Sequence, residues 1–316
     1  MMSGESSEGM KAILSVVIVN WNAGSQLKAC IDSLVSPVVR EIFVVDNAST
    51  DGSEVGVGNR SGVTLIRASE NLGFGKACNL GAMAAVGEFV LFLNPDAFVY
   101  SDTLEKALAF MKDQRNAEVG ICGVQLVDES GHVARSCARF PTPVGFLLHS
   151  VGVDRIFPRL GHFMNDWLHD STRDVDHVIG AFFLIRNNLF RRLDGFDERF
   201  FVYLEDLDFS LRAHQLGWRS IYLSNVMAFH AGGGTSRRVK AKRLFYSLRS
   251  RLLYAAKHFS LGGAALVFLG TLFVEPISRT TLAIAKGSWS SLKETWQGYA
   301  LLWRWLPRWL TRGVTR

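Results

Sequence analysis

The tripeptide Asn94-Pro95-Asp96 places a carboxylate directly after an apolar run, Phe89-Val90-Leu91-Phe92-Leu93. Five large apolar residues in a row are typical of a parallel strand that is buried on both faces. The proline then ends the strand's hydrogen-bond ladder, because it has no N–H to donate. We therefore expect Asp96 at the carboxyl end of a central strand, where open α/β sheets bind their ligands. A carboxylate in this place can also simply cap the next turn.

Polar and glycine-rich segments follow the three strands predicted upstream as well. They are Asn20-Trp21-Asn22-Ala23-Gly24, Asp46-Asn47-Ala48-Ser49-Thr50-Asp51-Gly52-Ser53 and Asn71-Leu72-Gly73-Phe74-Gly75. Because parallel strands end at the same edge of a sheet, we expect Asn22, Asp46, Asp51, Asn71 and Asp96 to gather on one rim. Each of them alone could be an ordinary turn or cap residue. Four successive strand ends of this kind favour a ligand site.

A second group of carboxylates lies in Tyr203-Leu204-Glu205-Asp206-Leu207-Asp208. Leucines three or four positions apart predict a helix here, and its first turn holds all three acids, where the helix dipole favours anions. Asp208 can pair with Arg212 one turn later, whereas Glu205 and Asp206 have no such local partner. We therefore expect at least one of Glu205 and Asp206 to face a cleft.

His230 ends a predicted strand and is followed by Gly232, Gly233 and Gly234. A single histidine at a strand end is commonly a structural residue. Three glycines beside it nevertheless permit the close approach of a phosphate or a metal ion.

Several classes of site are excluded by missing motifs. No GxGxxG follows the first strand and no GxxxxGK[ST] is present, which argues against a dinucleotide-binding Rossmann domain and a P-loop. The cysteines are scattered and form no CxxC pair; they are Cys30, Cys78, Cys122 and Cys137. Their spacing argues against a zinc site or a disulfide framework and suits a reducing compartment.

The elements that must position these residues alternate between strand and helix, which predicts an α/β fold with a mostly parallel sheet flanked by helices. Strands are predicted at 13–19, 41–45, 63–67, 89–93, 119–123, 178–185, 219–223 and 226–229. Helices are predicted after a Ser25 cap, over 77–86, after a capping box of Asp102 and Glu105, and from 204 onward. Residues 128–176 show no clear period, which is typical either of a functional loop or of elements that the sequence pattern does not reveal.

The chain of 316 residues, 48% of them hydrophobic, can hold one large domain and an appendage. We expect a disordered tail over 1–12, a catalytic domain over 13–236 and a helical extension over 237–316. The N-terminus has no basic region typical of a signal peptide. No segment reaches the roughly 20 apolar residues of a membrane span. The uncharged run of 16 residues from Phe259 to Val274 is therefore expected to be an interfacial or core-packed helix.

The net charge of +6 conceals an acidic body and a basic extension. Residues 235–316 hold fifteen Lys and Arg against two Glu, which gives +13 and leaves −7 for the rest. Five of the eight tryptophans lie in the last 28 residues, and one helical face is predicted to contain Trp289, Leu292, Trp296, Tyr299, Trp303 and Leu310. Aromatic residues beside basic ones suit the headgroup layer of an anionic membrane. No nucleic-acid recognition motif is visible, and the alternative is an oligomer contact.

Taken together, these motifs resemble the family 2 glycosyltransferases, which have the GT-A fold. The resemblance runs from Leu14 to Ser236. It rests on the segments 15–22, 44–53, 71–75, 93–96 and 203–208, in that order and spacing. Asn94-Pro95-Asp96-Ala97 and Asn71-Leu72-Gly73-Phe74-Gly75 look most like the rhamnosyltransferases that build bacterial cell-surface glycans.

The resemblance implies a nucleotide-sugar donor that lies across the carboxyl ends of the N-terminal strands, with dTDP-rhamnose as the expected donor. Asp46 would contact the pyrimidine base of the nucleotide. Asp96 would be the metal-binding carboxylate of the family's DxD motif, and in some relatives a residue at the position of His230 completes the metal's ligand shell. The donor site would comprise Asn20, Asn22, Asp46, Asn47, Ser49, Asp51, Asn71, Gly73, Gly75 and Asn94. Asn94 stands where the motif has its first acid, and it binds cations less strongly.

The chemistry of such a transfer asks for two things. The leaving diphosphate needs its charge stabilised, which Asp96 with Mg²⁺ or Mn²⁺ would supply, and the acceptor hydroxyl needs a base. We expect Asp206 to be that base, with Glu205 in reserve. Direct attack with one base inverts the anomeric centre, as the family implies.

The expected acceptor is a glycan or a polyprenyl-diphosphate-linked sugar, and the expected location is cytoplasmic, on the inner face of the plasma membrane. The chain could also form a homo-oligomer. Two other interpretations stay open at this point: a non-catalytic sugar-nucleotide-binding subunit, which Asn94 would suit, and a sugar-nucleotide nucleotidyltransferase. The latter would need a glycine-rich basic loop where this chain has Asn20-Trp21-Asn22.

Overall fold

The structure is a computed structural model that describes residues 12–232 and 239–315. The predicted tail over 1–12 lies outside the described residues except for Ala12, and so does the predicted domain boundary at 236–237. The same is true of Gly233 and Gly234, which follow His230.

Four parallel strands form the N-terminal half of the main sheet. They are β1 (Leu14–Asn20), β2 (Val39–Asp46), β3 (Val63–Arg67) and β4 (Phe89–Leu93), with helices α1 (Gln26–Asp32) and α2 (Phe74–Ala82) between them. Strand β1 lies between β2 and β4, so that Val17 pairs with both Phe43 and Phe92. Every residue of β4 is buried, as its apolar run predicts.

The second half of the sheet mixes strand directions. Its elements are β5 (Ala97–Val99), α3 (Thr103–Lys112), β6 (Val119–Val127), β7 (Cys137–Ala138), α4 (Pro143–Ser150), β8 (Arg173–Val175), β9 (His177–Val178), β10 (Phe182–Arg186), α5 (Asn187–Arg192), α6 (Glu205–Gln215) and β11 (Arg219–His230). The order in the main sheet is β3-β2-β1-β4-β10-β6-β11-β5, with β8 paired to β11. Strand β10 is antiparallel to both of its neighbours, and β11 is parallel to β6.

Apolar side chains pack on both faces of this sheet. Val16 and Ile18 of β1 belong to one core cluster, and Val17 and Val19 belong to the other, because successive residues of a strand face opposite sides. The mostly parallel α/β architecture flanked by helices is confirmed.

Local details differ from the sequence predictions. The side chains of Ser25 and Asp102 make no capping hydrogen bond; Asp102 pairs with Lys106, and Glu105 accepts from Ser36 instead. Helix α2 begins at Phe74 rather than at residue 77 and ends at Ala82. The strand predicted over 178–185 is broken into β9 and β10 by a turn at 179–181. The stretch 128–176 is largely irregular, but it contains β7, α4 and β8.

The C-terminal extension is helical, as predicted. Its helices are α7 (Lys240–His258), α8 (Leu261–Leu269), α9 (Glu275–Ala285) and α10 (Trp289–Arg312). Leu248, Leu252 and Tyr299 of the extension share one core cluster with Phe146 and Leu207 of the preceding domain. The extension is therefore packed onto the body rather than tethered to it.

Helices α8 and α9 are continuous through a π-helical turn, Gly270–Val274. Together they span the 25 residues Leu261–Ala285, and by length and composition this helix is long and apolar enough to cross a membrane. The expectation that no segment is long enough is therefore wrong for the described residues. A proline inside a helix lacks one N–H and crowds the preceding turn, and the wider π turn before Pro276 accommodates both effects. Length and composition alone do not distinguish a span from a packed helix.

Helix α10 exposes only part of its predicted aromatic face. Tyr299 is fully buried, together with Thr295, Gly298, Leu302 and Trp305. Four large apolar residues, Trp289, Trp296, Trp303 and Leu310, are exposed and recur every seven positions. The predicted single aromatic face is therefore divided between the core and the surface.

Candidate active site

The carboxyl ends of β1 and β2 are joined by buried polar side chains. The amide of Asn20 donates to Asp46 Oδ1 and to Ser53 Oγ, both at 2.9 Å. Asn20 and Asp46 are almost inaccessible, being 0% and 5% exposed. A buried amide and carboxylate in direct contact hold the two strand ends in register.

The loop after β2 is fixed by the residues that follow β1. Asn22 has a positive φ of 54°, its N–H donates to Ser49 Oγ at 3.0 Å, and its Oδ1 accepts from Thr50 N–H at 2.7 Å. Asp51 accepts from the N–H of Gly24 at 2.9 Å. Burial raises the pKa of Asp51, but hydrogen bonds from Ser53 and Gly24 outweigh this effect and hold it below its usual value. Asn22, Ser49 and Asp51 are thus brought together as expected.

Asn47 connects this loop to the segment before α2. Its amide donates to Asn71 Oδ1 and to the carbonyl of Gly73, and its Oδ1 accepts from Leu72 N–H at 2.7 Å. Gly73 has φ +81°, and a Cβ there would lie 2.2 Å from the carbonyl oxygen of Phe201. That position therefore requires glycine, because any side chain would push apart α2 and the segment that leads into α6.

Asp96 and His230 meet at the edge formed by β5 and β11. His230 pairs with Ala97 in the sheet, and its Nε2 lies 3.3 Å from Asp96 Oδ1 and 3.5 Å from Asn94 Nδ2. Both side chains are largely buried, with 11% of Asp96 and 13% of His230 exposed.

This donor set fits a divalent cation. Two ligands at about 2.1 Å from one octahedral ion lie about 3 Å apart, close to the spacing of the carboxylate and the imidazole here. Within residues 12–232 and 239–315, no cluster of three or more His, Cys, Asp or Glu side chains could hold a metal. Among the described residues, Asp96 and His230 are thus the two candidate ligands. The remaining coordination positions of the ion would be filled by phosphate oxygens or water.

Asp206 lies at the start of α6. The turn Gly180-Ala181 separates it from Asn94-Pro95-Asp96, which we call the Asn94 motif. Its Oδ2 accepts from Gly180 N–H at 2.8 Å, and the next carbonyl along the chain, that of Ala181, accepts from Asn94 N–H at 3.0 Å. Asp206 Oδ1 accepts from Leu207 N–H at 2.8 Å. The Asp206 side chain is 17% exposed. Asp206 and the Asn94 motif are therefore held by adjacent residues of one turn.

Glu205, the neighbouring candidate, points into the protein. It is 4% exposed, and its Oε2 has no hydrogen-bond partner among the described residues. Burial raises its pKa well above the usual value, and the nearby charge of Asp206 raises it further. Gly75 lies against it, because a Cβ at Gly75 would be 3.4 Å from Glu205 Cβ. Gly75 thus packs closely against the first turn of α6, and the Glu205 side chain lies in the protein interior.

Asp208 anchors the same helix to the extension. Its buried carboxylate pairs with Arg212 at 2.8 Å, as predicted, and also with Lys257 at 2.5 Å and His258 at 2.7 Å. Burial raises its pKa, but the His258 hydrogen bond and the charges of Arg212 and Lys257 hold it below the usual value. The partners from α7 were missed, since nothing local in the sequence connects residue 208 to residue 257.

Three further residues near Asp206 were also missed. They are Gly180, whose N–H binds the carboxylate, His177 and Ser210. Gly180 could have been suspected, because a glycine interrupts an otherwise apolar run. His177 and Ser210 carry no sequence signal, since their relation to Asp206 arises only from the packing of β9 against α6.

The family described as glycosyl transferase family 2 matches residues 15–193, more than half of the chain. An N-acetylglucosaminyl-diphospho-decaprenol L-rhamnosyltransferase of Mycobacterium tuberculosis is 29% identical over 79% of this chain and 86% of its own length. Rhamnosyltransferase WbbL of Escherichia coli is 29% identical over 54% of this chain and 62% of its own length.

Solved structures share the fold. The mannosyltransferase PcManGT from Pyrobaculum calidifontis, in complex with GDP-Man and Mn²⁺, has a TM-score of 0.55 and 20% identity over 96% of this chain and 82% of its own. TarS 1-349 of S. aureus, in complex with UDP-GlcNAc, has a TM-score of 0.53 and 21% identity over 93% and 80%. At these identities the likeness establishes the GT-A fold.

Proposed function

This chain belongs to glycosyl transferase family 2 and is a glycosyltransferase, and we propose that it transfers L-rhamnose from dTDP-rhamnose to a polyprenyl-diphosphate-linked glycan with inversion. The choice of sugar is supported by two relatives that are named rhamnosyltransferases. The choice of acceptor is supported by the mycobacterial relative, whose name gives a diphospho-decaprenol substrate.

One observation carries the proposal: Asp206 and Asn94 bind adjacent residues of the turn Gly180-Ala181. A transferase needs a base on one side of the sugar's reacting carbon and stabilisation of the leaving diphosphate on the other. The turn sets Asp206 next to the motif that would face the diphosphate. This arrangement supports direct displacement with a single base.

The donor's nucleotide would lie over the polar ends of β1 and β2. Asp46 and Asn20 support the surface that would bind the nucleobase. The loop that borders this surface is shaped by Asn22, Ser49 and Asp51. Asn47 and Asn71 hold the next segment in place. In this proposal most of these residues work by fixing the backbone, since their polar atoms are already bonded to one another.

Asp96 and His230, with Asn94 beside them, would hold a divalent cation such as Mg²⁺ or Mn²⁺. Such an ion, when bound, would neutralise the charge that develops on the departing diphosphate. Asp96 brings the negative charge that attracts the cation, and His230 brings a nitrogen ligand. Asn94 brings an uncharged amide, so the protein's contribution to cation affinity is smaller than that of an acid pair.

Asp206 would remove the proton from the acceptor hydroxyl. Backbone N–H groups of Gly180 and Leu207 hold its two oxygens in place, and its partial exposure leaves room for a substrate. Glu205 is too deeply buried to meet an acceptor. Asp206 is therefore the proposed base.

We further propose that the extension lies on the cytoplasmic face of an anionic membrane. The exposed residues Trp289, Trp296 and Trp303 accompany the exposed basic residues Lys293, Arg304, Arg308 and Arg312 on α10. In the helix α8–α9, Glu275 is buried in contact with Arg251 and Arg279. A helix tied to the body at its centre suits a peripheral position better than a span.

The two alternatives receive less support. A nucleotidyltransferase is disfavoured by the family assignment, and a non-catalytic subunit is disfavoured by relatives that are named as transferases. Transfer by the isolated chain would exclude both.

The test is a transfer assay with dTDP-rhamnose and a synthetic polyprenyl-diphospho-N-acetylglucosamine, with UDP- and GDP-sugars as competing donors. We expect product from dTDP-rhamnose and an inverted anomeric configuration by NMR. The Asp206→Asn variant should bind donor but lose at least about a hundredfold in rate. Product from a UDP- or GDP-sugar alone would overturn the choice of donor, and near-full transfer by Asp206→Asn would overturn the choice of base.

A further inference from the structure

Two neighbouring elements expose large apolar side chains at the surface. The first is the segment 143–163, which we call the α4 lobe and which holds α4 and two short 3₁₀ turns. Its exposed large apolar residues are Val144, Val151, Ile156, Phe157, Leu160 and Phe163. The second is the continuous helix α8–α9, whose exposed residues include Leu269, Phe273, Ile277 and Ile284. Their spacings of four and seven residues place these four on one helical face.

The α4 lobe and α8–α9 are packed directly against each other. A Cβ at Gly270 would lie 2.8 Å from a leucine side chain of α4, so the two backbones approach closely there. One turn further on, Ser278 Oγ donates to the carbonyl of Ser150 at 2.6 Å. Val151 and Ile277 are the exposed chain neighbours of these two serines. The two apolar surfaces therefore adjoin at this contact.

The acidic residues of both elements are buried and paired. The α4 lobe has a single acid, Asp154, whose Oδ2 lies 2.6 Å from His149 Nδ1. Helix α8–α9 also has a single acid, Glu275, which contacts Arg251 and Arg279. Both carboxylates are less than a tenth exposed. Neither of these two fully described elements therefore presents a negative charge to the solvent.

Cationic residues of the same elements do face the solvent. Arg155 and Arg159 of the α4 lobe are exposed, and so is Lys286 at the end of α9. An apolar surface bordered by cations alone is complementary to an anionic bilayer, whose acyl region takes up apolar side chains and whose headgroups attract cations. A second copy of the chain would bring the same positive charges to the contact, which disfavours it as the occupant.

We propose that the α4 lobe and α8–α9 together form a membrane-binding surface whose apolar side chains enter one leaflet of an anionic bilayer. Helix α8–α9 lies along the leaflet, because Glu275 ties its centre to Arg251 of α7. This inference rests on the proposed function, which places the enzyme at a membrane. It adds a surface of the catalytic domain to the contact made by α10, and two such surfaces fix how the domain is oriented on the membrane.

The first test measures depth with single introduced cysteines on the full chain. The four native cysteines are buried, so Phe157→Cys, Ile277→Cys and the control Val35→Cys can each be labelled selectively with an environment-sensitive dye. Vesicles of phosphatidylglycerol and phosphatidylethanolamine are prepared with and without a nitroxide on the acyl chains. We expect the nitroxide to quench the dye at positions 157 and 277 at least about twofold, because interfacial side chains reach the acyl boundary. The dye at position 35 should remain unquenched.

The second test measures vesicle binding by sedimentation. Ile156→Ser combined with Phe157→Ser should weaken binding at least about tenfold, since two large apolar side chains no longer leave water. The matched control, Val35→Ser with Met83→Ser, replaces exposed apolar residues elsewhere on the body and should bind as wild type. Arg155→Gln combined with Arg159→Gln should weaken binding to anionic vesicles about tenfold and leave binding to neutral vesicles unchanged.

Three results would overturn the inference. Dyes at positions 157 and 277 that stay unquenched on vesicle-bound protein would leave α10 as the membrane contact. Quenching at position 277 alone would mean that α8–α9 enters the bilayer without the α4 lobe. A response of both dyes to protein concentration in the absence of vesicles would assign the surface to a second copy.

The inference and the proposed function can fail separately. A wild type that transfers rhamnose but leaves both dyes unquenched overturns this inference only. A wild type whose dyes are quenched as expected but that transfers no rhamnose overturns the proposed reaction and supports the membrane surface.

Discussion

Lys257, in the last turn of α7, contacts Asp208 at 2.5 Å, and Asp208 lies two positions after the proposed base on α6. Lys257 also contacts Asp197 at 2.7 Å. Part of the positive charge of the extension is thus paired with acidic residues of the preceding domain, so not all of it is available to a membrane. Deleting residues 240–316 would leave Asp208 and a shared apolar core uncovered, so the role of the extension is better tested by point substitutions.

Asp208→Asn should destabilise the protein by about 3 kcal/mol, because breaking a buried ion pair leaves charged partners without compensation. Chemical denaturation followed by circular dichroism would measure this. The control is Asp174→Asn, which breaks an exposed pair with Arg219 and should cost less than about 1 kcal/mol. Equal effects of the two substitutions would contradict the anchoring role of Asp208.

Glu205→Gln should retain transfer within about twofold, because burial raises the pKa of Glu205 and favours the protonated carboxyl group, which an amide resembles. A raised pKa in the folded state makes wild type lose stability as pH rises above about 4.3, the unfolded value. The variant lacks this loss, so its melting temperature relative to wild type should be higher at pH 8 than at pH 5. A hundredfold loss of transfer, with normal folding, would instead make Glu205 the base.

EDTA should abolish transfer, and Mg²⁺ or Mn²⁺ should restore it. Asp96→Asn and His230→Gln should each raise the metal concentration needed for half-maximal rate by at least about tenfold, because each removes one protein ligand. Titration calorimetry of Mn²⁺ into enzyme with dTDP gives a readout independent of turnover. The exposed His132→Gln serves as control. Full activity in EDTA would refute the metal site.

Replacing Trp289, Trp296 and Trp303 together by Ser should weaken binding to anionic liposomes at least about tenfold, since exposed indoles favour the headgroup layer. The matched control replaces three exposed apolar residues of the body, Val35, Val55 and Met83, by Ser. Sedimentation with liposomes measures binding, and light scattering without lipid measures oligomeric state. Unchanged sedimentation together with a change from dimer to monomer would identify the exposed stripe as a self-association surface.

The sequence predicts the first half of the sheet well because its information is local. A run such as Phe89–Leu93 has few alternatives to a buried strand, and each polar segment after a strand must lie at the same edge. The contacts of Asn22 with Thr50 and of Asn47 with Asn71 follow from that rule. Their functions remain predictions.

The extension is less predictable because its arrangement depends on distant partners. Glu275-Pro276 looks like the end of a helix, yet the buried Arg251 neutralises the glutamate and a π turn accommodates the proline. Tyr299 looks like part of an exposed aromatic face, but its hydroxyl donates to the carbonyl of Thr271 inside the core. Neither partner can be identified from periodicity.

The turn Gly180-Ala181 also limits how this enzyme can vary. A Cβ at Gly180 would lie 3.2 Å from Asp206 Oδ2, while the neighbouring carbonyl holds Asn94. Substitutions on the donor side and on the acceptor side therefore disturb the same backbone, and their effects on rate should not be additive. Under the proposed roles, a change at Asn94-Pro95-Asp96 is therefore compatible with Asp206 as the base only if this turn is preserved.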